Sequence, residues 1–347
     1  MSKNKIIETF ITLMLGILLV CVFIAFYSKE PLKTLKTFFT ISFHSSWYFG
    51  NMLDCASLLL LSSIGVCFAF KTGLFNLGGE GQIYLAAFLT SILLESSSNF
   101  SPFMYSFLVL FFVSFVLVFI GFVIGLLKAF YDIDEMIASF LVSSSLAPIL
   151  NYLILARMKE GGNLLIATKK INEVFELHSL LPPSTFNISF FITILICITI
   201  FLFFSKTKIG YHFNTSGVSK EFATFAGFNV KASQISGMCF SCFTNALTGY
   251  FAVIGTYKMC HIGFSHGFGW GGIVIALIAR QNILLLIPSS LLYAWLENAS
   301  QAITAKALIS FDVSIFFSAI IFFFISANII KIHSIFNFRS LKNNNMH

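Results

Sequence analysis

Residues Lys71 to Phe88 read KTGLFNLGGEGQIYLAAF. The stretch lies inside a long apolar region, yet it holds Gly73, Gly78, Gly79 and Gly81 with Asn76, Glu80 and Gln82. Each glycine weakens a helix by about 1 kcal/mol relative to alanine. A helix that breaks here frees backbone N–H and C=O groups. In a membrane those groups are tolerated only when buried in protein or facing a wet cavity. Glu80 makes the same demand, because acidic side chains inside membranes face a cavity or a partner. The alternative is a cytoplasmic turn beside Lys71 with Glu80 solvated. The residues alone leave the two readings level.

That membrane is the solvent follows from composition. Of 347 residues, 57% are hydrophobic and only 10% charged, and the mean hydropathy is +0.90. Soluble domains carry roughly 25% charged residues, so this chain lacks the polar groups to cover its surface. The expected class is an all-α polytopic membrane protein forming a single transmembrane domain over 1–347. Apolar runs predict spanning helices at about 8–27, 52–70, 82–95, 103–127, 136–156, 187–205, 233–256, 268–279, 282–297 and 311–331. The expectation is about ten helices (8–10), with short or broken ones after the glycine-rich segments. The first run is too long for the apolar part of a signal peptide and is read as a retained helix.

The net charge of +7 is scattered through short loops without a basic patch. It excludes a nucleic-acid surface and fits a cytoplasmic bias of Lys and Arg. Alternation from a cytoplasmic N-terminus puts the C-terminus and its tail (332–347) inside as well. Residues 157–186 then form an external loop, and 206–232 the longest cytoplasmic segment. Seven cysteines lie mostly in apolar runs and read as small core residues rather than a disulfide or zinc set. His261 and His266 lack metal-ligand spacing, and no Ser/His/Asp order stands out, so neither a metal site nor an enzyme is expected.

Within 206–232, Ser219 can cap a helix with Glu221 in its first turn and Gly227 at its stop. Phe222, Phe225 and Ala226 then share one apolar face suited to a partner's groove. Gly121 and Gly125, and Gly263, Gly267 and Gly271, recur every four residues and predict close helix packing. Asp132-Ile-Asp-Glu135 suits the start of a helix. A glycine-rich break precedes a short apolar helix twice, at 73–95 and 263–279, a hint of internal duplication of the kind that marks a transport pathway.

Gly73-Leu-Phe-Asn-Leu-Gly-Gly-Glu-Gly-Gln82 resembles the F-N-I-G-x-E-G-Q motif of the membrane subunits of bacterial ABC importers for nucleosides, within the ribose/branched-chain amino acid permease group. Ile133-Asp-Glu-Met-Ile137 with Asn151-Tyr152 is similar to that family's V-N-E-V-I…L-N-Y segment, with Asp134 where Asn is usual. Lys208-Ile-Gly210 through Ala226-Gly-Phe-Asn-Val230 resembles its cytoplasmic loop, although the lead-in reads Phe213-Asn-Thr-Ser-Gly-Val218. Gly269–Arg280 resembles its G-x-x-G-I-A-V-A-L-L-G-R segment.

The resemblance implies a permease subunit of an ATP-driven importer in the bacterial cytoplasmic (inner) membrane. It points to nucleosides as cargo, purine nucleosides such as guanosine first. It also implies an ATPase subunit that hydrolyses the ATP, a second and non-identical permease, and a substrate-binding lipoprotein. No cofactor is expected on this chain. Asn76, Gly78, Gly79, Glu80, Gly81 and Gln82 are the expected pathway or gate residues. Ser219, Glu221, Phe222, Phe225, Ala226 and Gly227 are the expected ATPase-coupling residues. The competing readings are a stand-alone proton-coupled transporter using Glu80, and an ABC permease for a sugar or branched-chain amino acid.

Overall fold

The structure is a computed structural model. It describes residues 3–95, 101–158, 166–265 and 267–306, together with 313, 315, 316, 319 and 320. Twelve α-helices occur among them: α1 (Lys3–Tyr27), α2 (Pro31–Thr40), α3 (Ser46–Lys71), α4 (Gly79–Leu93), α5 (Pro102–Tyr131), α6 (Glu135–Met158), α7 (Ser189–Lys206), α8 (Lys208–Val218), α9 (Lys220–Phe225), α10 (Val230–Phe251), α11 (Phe268–Ile278) and α12 (Leu286–Ala305). A π-helical turn, Ala252–Tyr257, continues α10. The chain divides into two units, residues 1–44 with 296–347, and Ser45–Trp295.

The expected count of ten spans is not confirmed. Six helices among the described residues are long and apolar enough to cross a membrane: Ser46–Lys71, Pro102–Tyr131, Glu135–Ala156, Ser189–Lys206, Val230–Tyr257 and Ile283–Ala305. The runs expected at 82–95 and 268–279 are α4 and α11, with 15 and 11 residues. At about 1.5 Å per residue neither reaches the roughly 30 Å of a hydrocarbon core. The run expected at 311–331, the tail 332–347 and His266 lie largely or wholly outside the described residues. Two helices were not anticipated: α2, and α8 at the start of the 206–232 segment.

In the larger unit α3 and α10 are the enclosed helices. Their apolar windows are 83% buried, against 33%, 22% and 17% for α5, α6 and α7. The outer three have lipid-facing sides: Phe107, Phe111, Phe115 and Phe119 on α5 are all exposed at a spacing of four. α10 can approach its neighbours because small residues line its contacts. A Cβ on Gly121 would meet Met238 O at 2.8 Å, and one on Gly125 would meet Ile235 Cα at 2.8 Å, so this glycine pair packs α5 on α10. Gly263 and Gly267 do otherwise. Both have positive φ with nothing within 4 Å of a Cβ, and Gly267 caps the start of α11. They are turn residues, and only Gly271 of that series packs, against Leu59 and Tyr293. The four-residue spacing misled because the helix begins after the second glycine.

The acidic run before α6 behaves as a cap. Asp134 Oδ1 accepts the Met136 and Ile137 N–H groups at 2.8 and 3.2 Å, and Glu135 pairs with Lys128 at 3.2 Å. All seven cysteines are free. Cys67, Cys197, Cys242 and Cys260 are buried.

Candidate functional site

The break begins with a helix stop. Gly73, at φ +76°, follows the last turn of α3. Its N–H reaches Phe70 O, and that of Leu74 reaches Ala69 O, both at 3.0 Å. Glycine takes this left-handed position without a Cβ penalty. The next residue anchors the turn, because Leu74 packs with Ala69, Ile124 and Met238.

The chain then runs without regular secondary structure through 74–78, alongside α10. Thr72 lies at Gly237 and Leu74 at Met238. Asn76 donates to Ser241 Oγ at 2.9 Å, and Gly249 faces Ile83, Ala86 and Ala87. The segment therefore climbs beside the middle of a spanning helix, and it is no solvated turn. Two of the backbone N–H groups at the break are satisfied by serines of α6. Leu77 N–H donates to Ser139 Oγ at 3.0 Å, and Gly81 N–H to Ser143 Oγ at 2.7 Å. Non-helical backbone at membrane depth needs this kind of enclosure.

Three amides form the buried centre. Gly78 N–H donates to Asn76 Oδ1 at 2.8 Å, which fixes that amide's orientation. Asn76 Nδ2 then donates to Gln82 Oε1 at 3.0 Å. Asn245 Nδ2 of α10 donates to the same oxygen at 2.8 Å. Asn76, Gln82 and Asn245 are each at most 1% exposed. A lone buried amide costs free energy, whereas a connected set fixes one geometry.

Glu80 points the other way, onto the second broken helix. Its Oε1 accepts the Trp270 N–H at 3.1 Å, and the Gly267 and Gly269 N–H groups and the Ser265 hydroxyl also reach it. The backbone donors lie at the N-cap and in the first turn of α11, where N–H groups have no partners within the helix. A carboxylate there meets the positive end of the helix dipole. The two helix starts touch closely enough to exclude any side chain: a Cβ on Gly269 would sit 2.4 Å from Glu80 N, and one on Gly79 3.0 Å from Gly269 Cα. The two glycine-rich breaks of the sequence are thus one junction, in which α4 and α11 meet N-terminus to N-terminus.

A second polar cluster was not anticipated. Asp54 of α3 is 2% exposed. Its carboxylate accepts from Thr185 Oγ1 at 2.5 Å, Thr256 Oγ1 at 2.8 Å and Asn187 Nδ2 at 3.2 Å. It joins the loop before α7 to the π-helical turn. The described part of the 157–186 loop is fastened beside it: Thr168 N–H to Cys260 O at 2.8 Å, Ile171 N–H to Lys258 O at 2.9 Å, and Leu177 N–H to Ile254 O at 2.8 Å. The signal in the sequence was a single acid inside an apolar run, which alone marks a position to examine.

The 206–232 segment forms α8 and α9. Ser219 Oγ accepts the Phe222 N–H at 3.2 Å and donates to Glu221 at 3.1 Å. The Glu221 backbone N–H and then Ser219 hold this carboxyl below the usual range. Gly227, at φ +78°, follows the stop. Phe222 and Phe225 are 57% and 92% exposed, and Ala226 is exposed beside them. α8 in turn abuts the start of the break, since a Cβ on Gly217 would lie 2.4 Å from Lys71 O and 2.7 Å from Gly73 N.

Known proteins are similar to this chain in sequence. The family described as branched-chain amino acid transport system / permease component matches residues 48–326. The probable riboflavin import permease protein RfuC of Treponema pallidum is 34% identical over 326 residues, spanning 93% of this chain and 86% of that protein. The nucleoside ABC transporter permease protein NupB of Lactococcus lactis is 24% identical over 344 residues, 95% of this chain and 93% of that one. The guanosine ABC transporter permease protein NupP of Bacillus subtilis is 23% identical over 292 residues, 82% and 83% of the two chains. A polytopic helical core, broken helices meeting at Glu80 and a family match across most of its length identify the chain as a multi-pass ABC transporter permease of the branched-chain amino acid transport system / permease component family.

Proposed function

We propose that this chain is the permease subunit of an ATP-driven importer for a planar heteroaromatic solute carrying a hydroxylated side arm, with riboflavin the first candidate and nucleosides the second. Both cargos have a flat ring system joined to a ribityl or ribose group. The observation that carries the choice is the 34% identity to a permease named for riboflavin, against 24% and 23% to two named for nucleosides and guanosine. Guanosine, the cargo first expected from the motifs, takes second place on that ground.

The geometry supports a division of labour. α9 offers Phe222 and Phe225 to an ATPase subunit, which supplies the hydrolysis. α8 connects that surface to the turn at Lys71–Gly73, and so to the α4–α11 junction. The Asn76–Gln82–Asn245 amides and the Glu80 carboxylate sit where movement of α4 against α11 would open or close a path. An external binding protein delivers cargo, and a second, non-identical permease completes the pathway. Both termini lie in the cytoplasm.

The test is competition uptake in proteoliposomes holding the assembled complex and its binding protein. Labelled riboflavin is expected to enter with ATP and to be displaced by unlabelled riboflavin far better than by guanosine. Displacement in the reverse order would move the cargo to the nucleosides.

A further inference from the structure

α2 has three chemically different sides. Thr34 and Phe38, four residues apart, are buried. Lys33, Lys36 and Thr40, at i, i+3 and i+7, are exposed on a second side. Leu32 and Phe39, two turns apart, are 85% and 42% exposed on a third. A helix that meets only protein and water needs two sides, one apolar and one polar. The exposed apolar third side calls for hydrocarbon, and the basic side next to it calls for anions in water.

Position supports this. Only Ser28, Lys29 and Glu30 separate α2 from the end of α1 at Tyr27, a reach of roughly 10 Å when extended. The turn is pinned: Ser28 and Thr34 hydroxyls bond at 2.7 Å, and Thr34 Oγ1 donates to Glu30 O at 3.0 Å. The helix is therefore held near the point where α1 leaves the apolar zone. Tyr27 and Phe26, at 65% and 82% exposure, mark that level. Three lysines (Lys29, Lys33, Lys36) face one glutamate over 28–40. The Glu30–Lys33 pair, at 2.8 Å, is exposed on both partners, so a phosphate can displace it at little cost.

We infer that α2 lies in the membrane–water interface, with Leu32 and Phe39 among the upper acyl chains and Lys29, Lys33 and Lys36 binding the phosphates of anionic phospholipids. Lipid is the occupant the pattern favours over a protein partner. A protein groove would bury one continuous apolar face, whereas here the exposed apolar side is narrow and runs directly into lysines.

The assembled complex in nanodiscs of phosphatidylcholine with phosphatidylglycerol provides the test. A benzophenone side chain replacing Phe39 is expected to capture lipid. Native mass spectrometry of Lys33→Gln and Lys36→Gln should show phosphatidylglycerol retention, relative to phosphatidylcholine, falling about fivefold per lysine removed. The thermal unfolding temperature should stay unchanged, since both positions are exposed. Capture of another subunit from position 39, or unchanged phosphatidylglycerol retention in well-folded variants, overturns the inference.

Discussion

A carboxylate in the first turn of α4 that accepts first-turn N–H groups of α11 makes the two helix starts dependent on each other. Glu80→Gln keeps an acceptor and removes the charge. The lost charge–dipole attraction is about 1 kcal/mol, roughly a fivefold change in the balance between conformations. The expected outcome is a complex that still co-purifies with its ATPase but transports about fivefold more slowly. Loss of assembly instead would make Glu80 a folding residue. Asp54 presents a different case. Its three donors come from two other elements, and two of them have a further acceptor: Thr185 Oγ1 also reaches Asn51 Oδ1 at 3.2 Å, and Asn187 Nδ2 the Thr185 carbonyl at 2.8 Å. Asp54→Ala removes a charged acceptor from all three in a buried site and should cost about 2–3 kcal/mol. Asp54→Asn, which keeps one acceptor oxygen, should cost less. Thermal unfolding, with proteolysis of the 166–187 loop as local readout, checks both. Gly73 was legible as a helix breaker from residue type alone. Asn245 was not, because its role depends on Gln82 lying 163 positions away.

Between helices, the contact that matters is backbone on backbone. Gly217 of α8 sits against Lys71 O and Gly73 N, with Lys71 Nζ reaching Asn214 Oδ1 at 3.5 Å. No side chain fits there, so a push on α8 reaches the start of the break without compressible atoms between. Gly217→Val should therefore separate two activities: the complex hydrolyses ATP while uptake falls at least tenfold. Phe222→Asp with Phe225→Asp should act earlier and abolish binding of the ATPase, read by co-purification. If Gly217→Val and the aspartate pair fail in the same way, the contact has no role beyond docking. The α9 cap, its stop at Gly227 and its exposed phenylalanines were all legible, because caps and i, i+3 faces are local. α2 and α8 were not. Their sequences are half polar and carry no spanning run, and their helicity comes from packing rather than propensity.

Across the whole molecule, the ATP-driven reading and the proton-coupled reading part on energy source. Vesicles holding the permease without its ATPase are expected to accumulate no cargo under an imposed proton gradient, and the full complex to do so with ATP alone. Accumulation in the first case would make Glu80 a proton carrier. The membrane class was written in composition, since 10% charged residues cannot cover a soluble surface. The number of spans was not, because α4 and α11 are as apolar as a spanning helix but too short to be one.

By itself, then, the sequence determined the solvent, the helical class, the position of each break and the local caps, all of which depend on residue type and short-range spacing. Only the tertiary structure decided that the two breaks form one junction, that Glu80 serves α11 rather than water, and that Asp54 ties α3 to two distant segments. Those facts rest on contacts across 131 to 202 positions. In a bilayer such contacts are chosen by which buried polar groups find partners, and that is settled only when the helices pack.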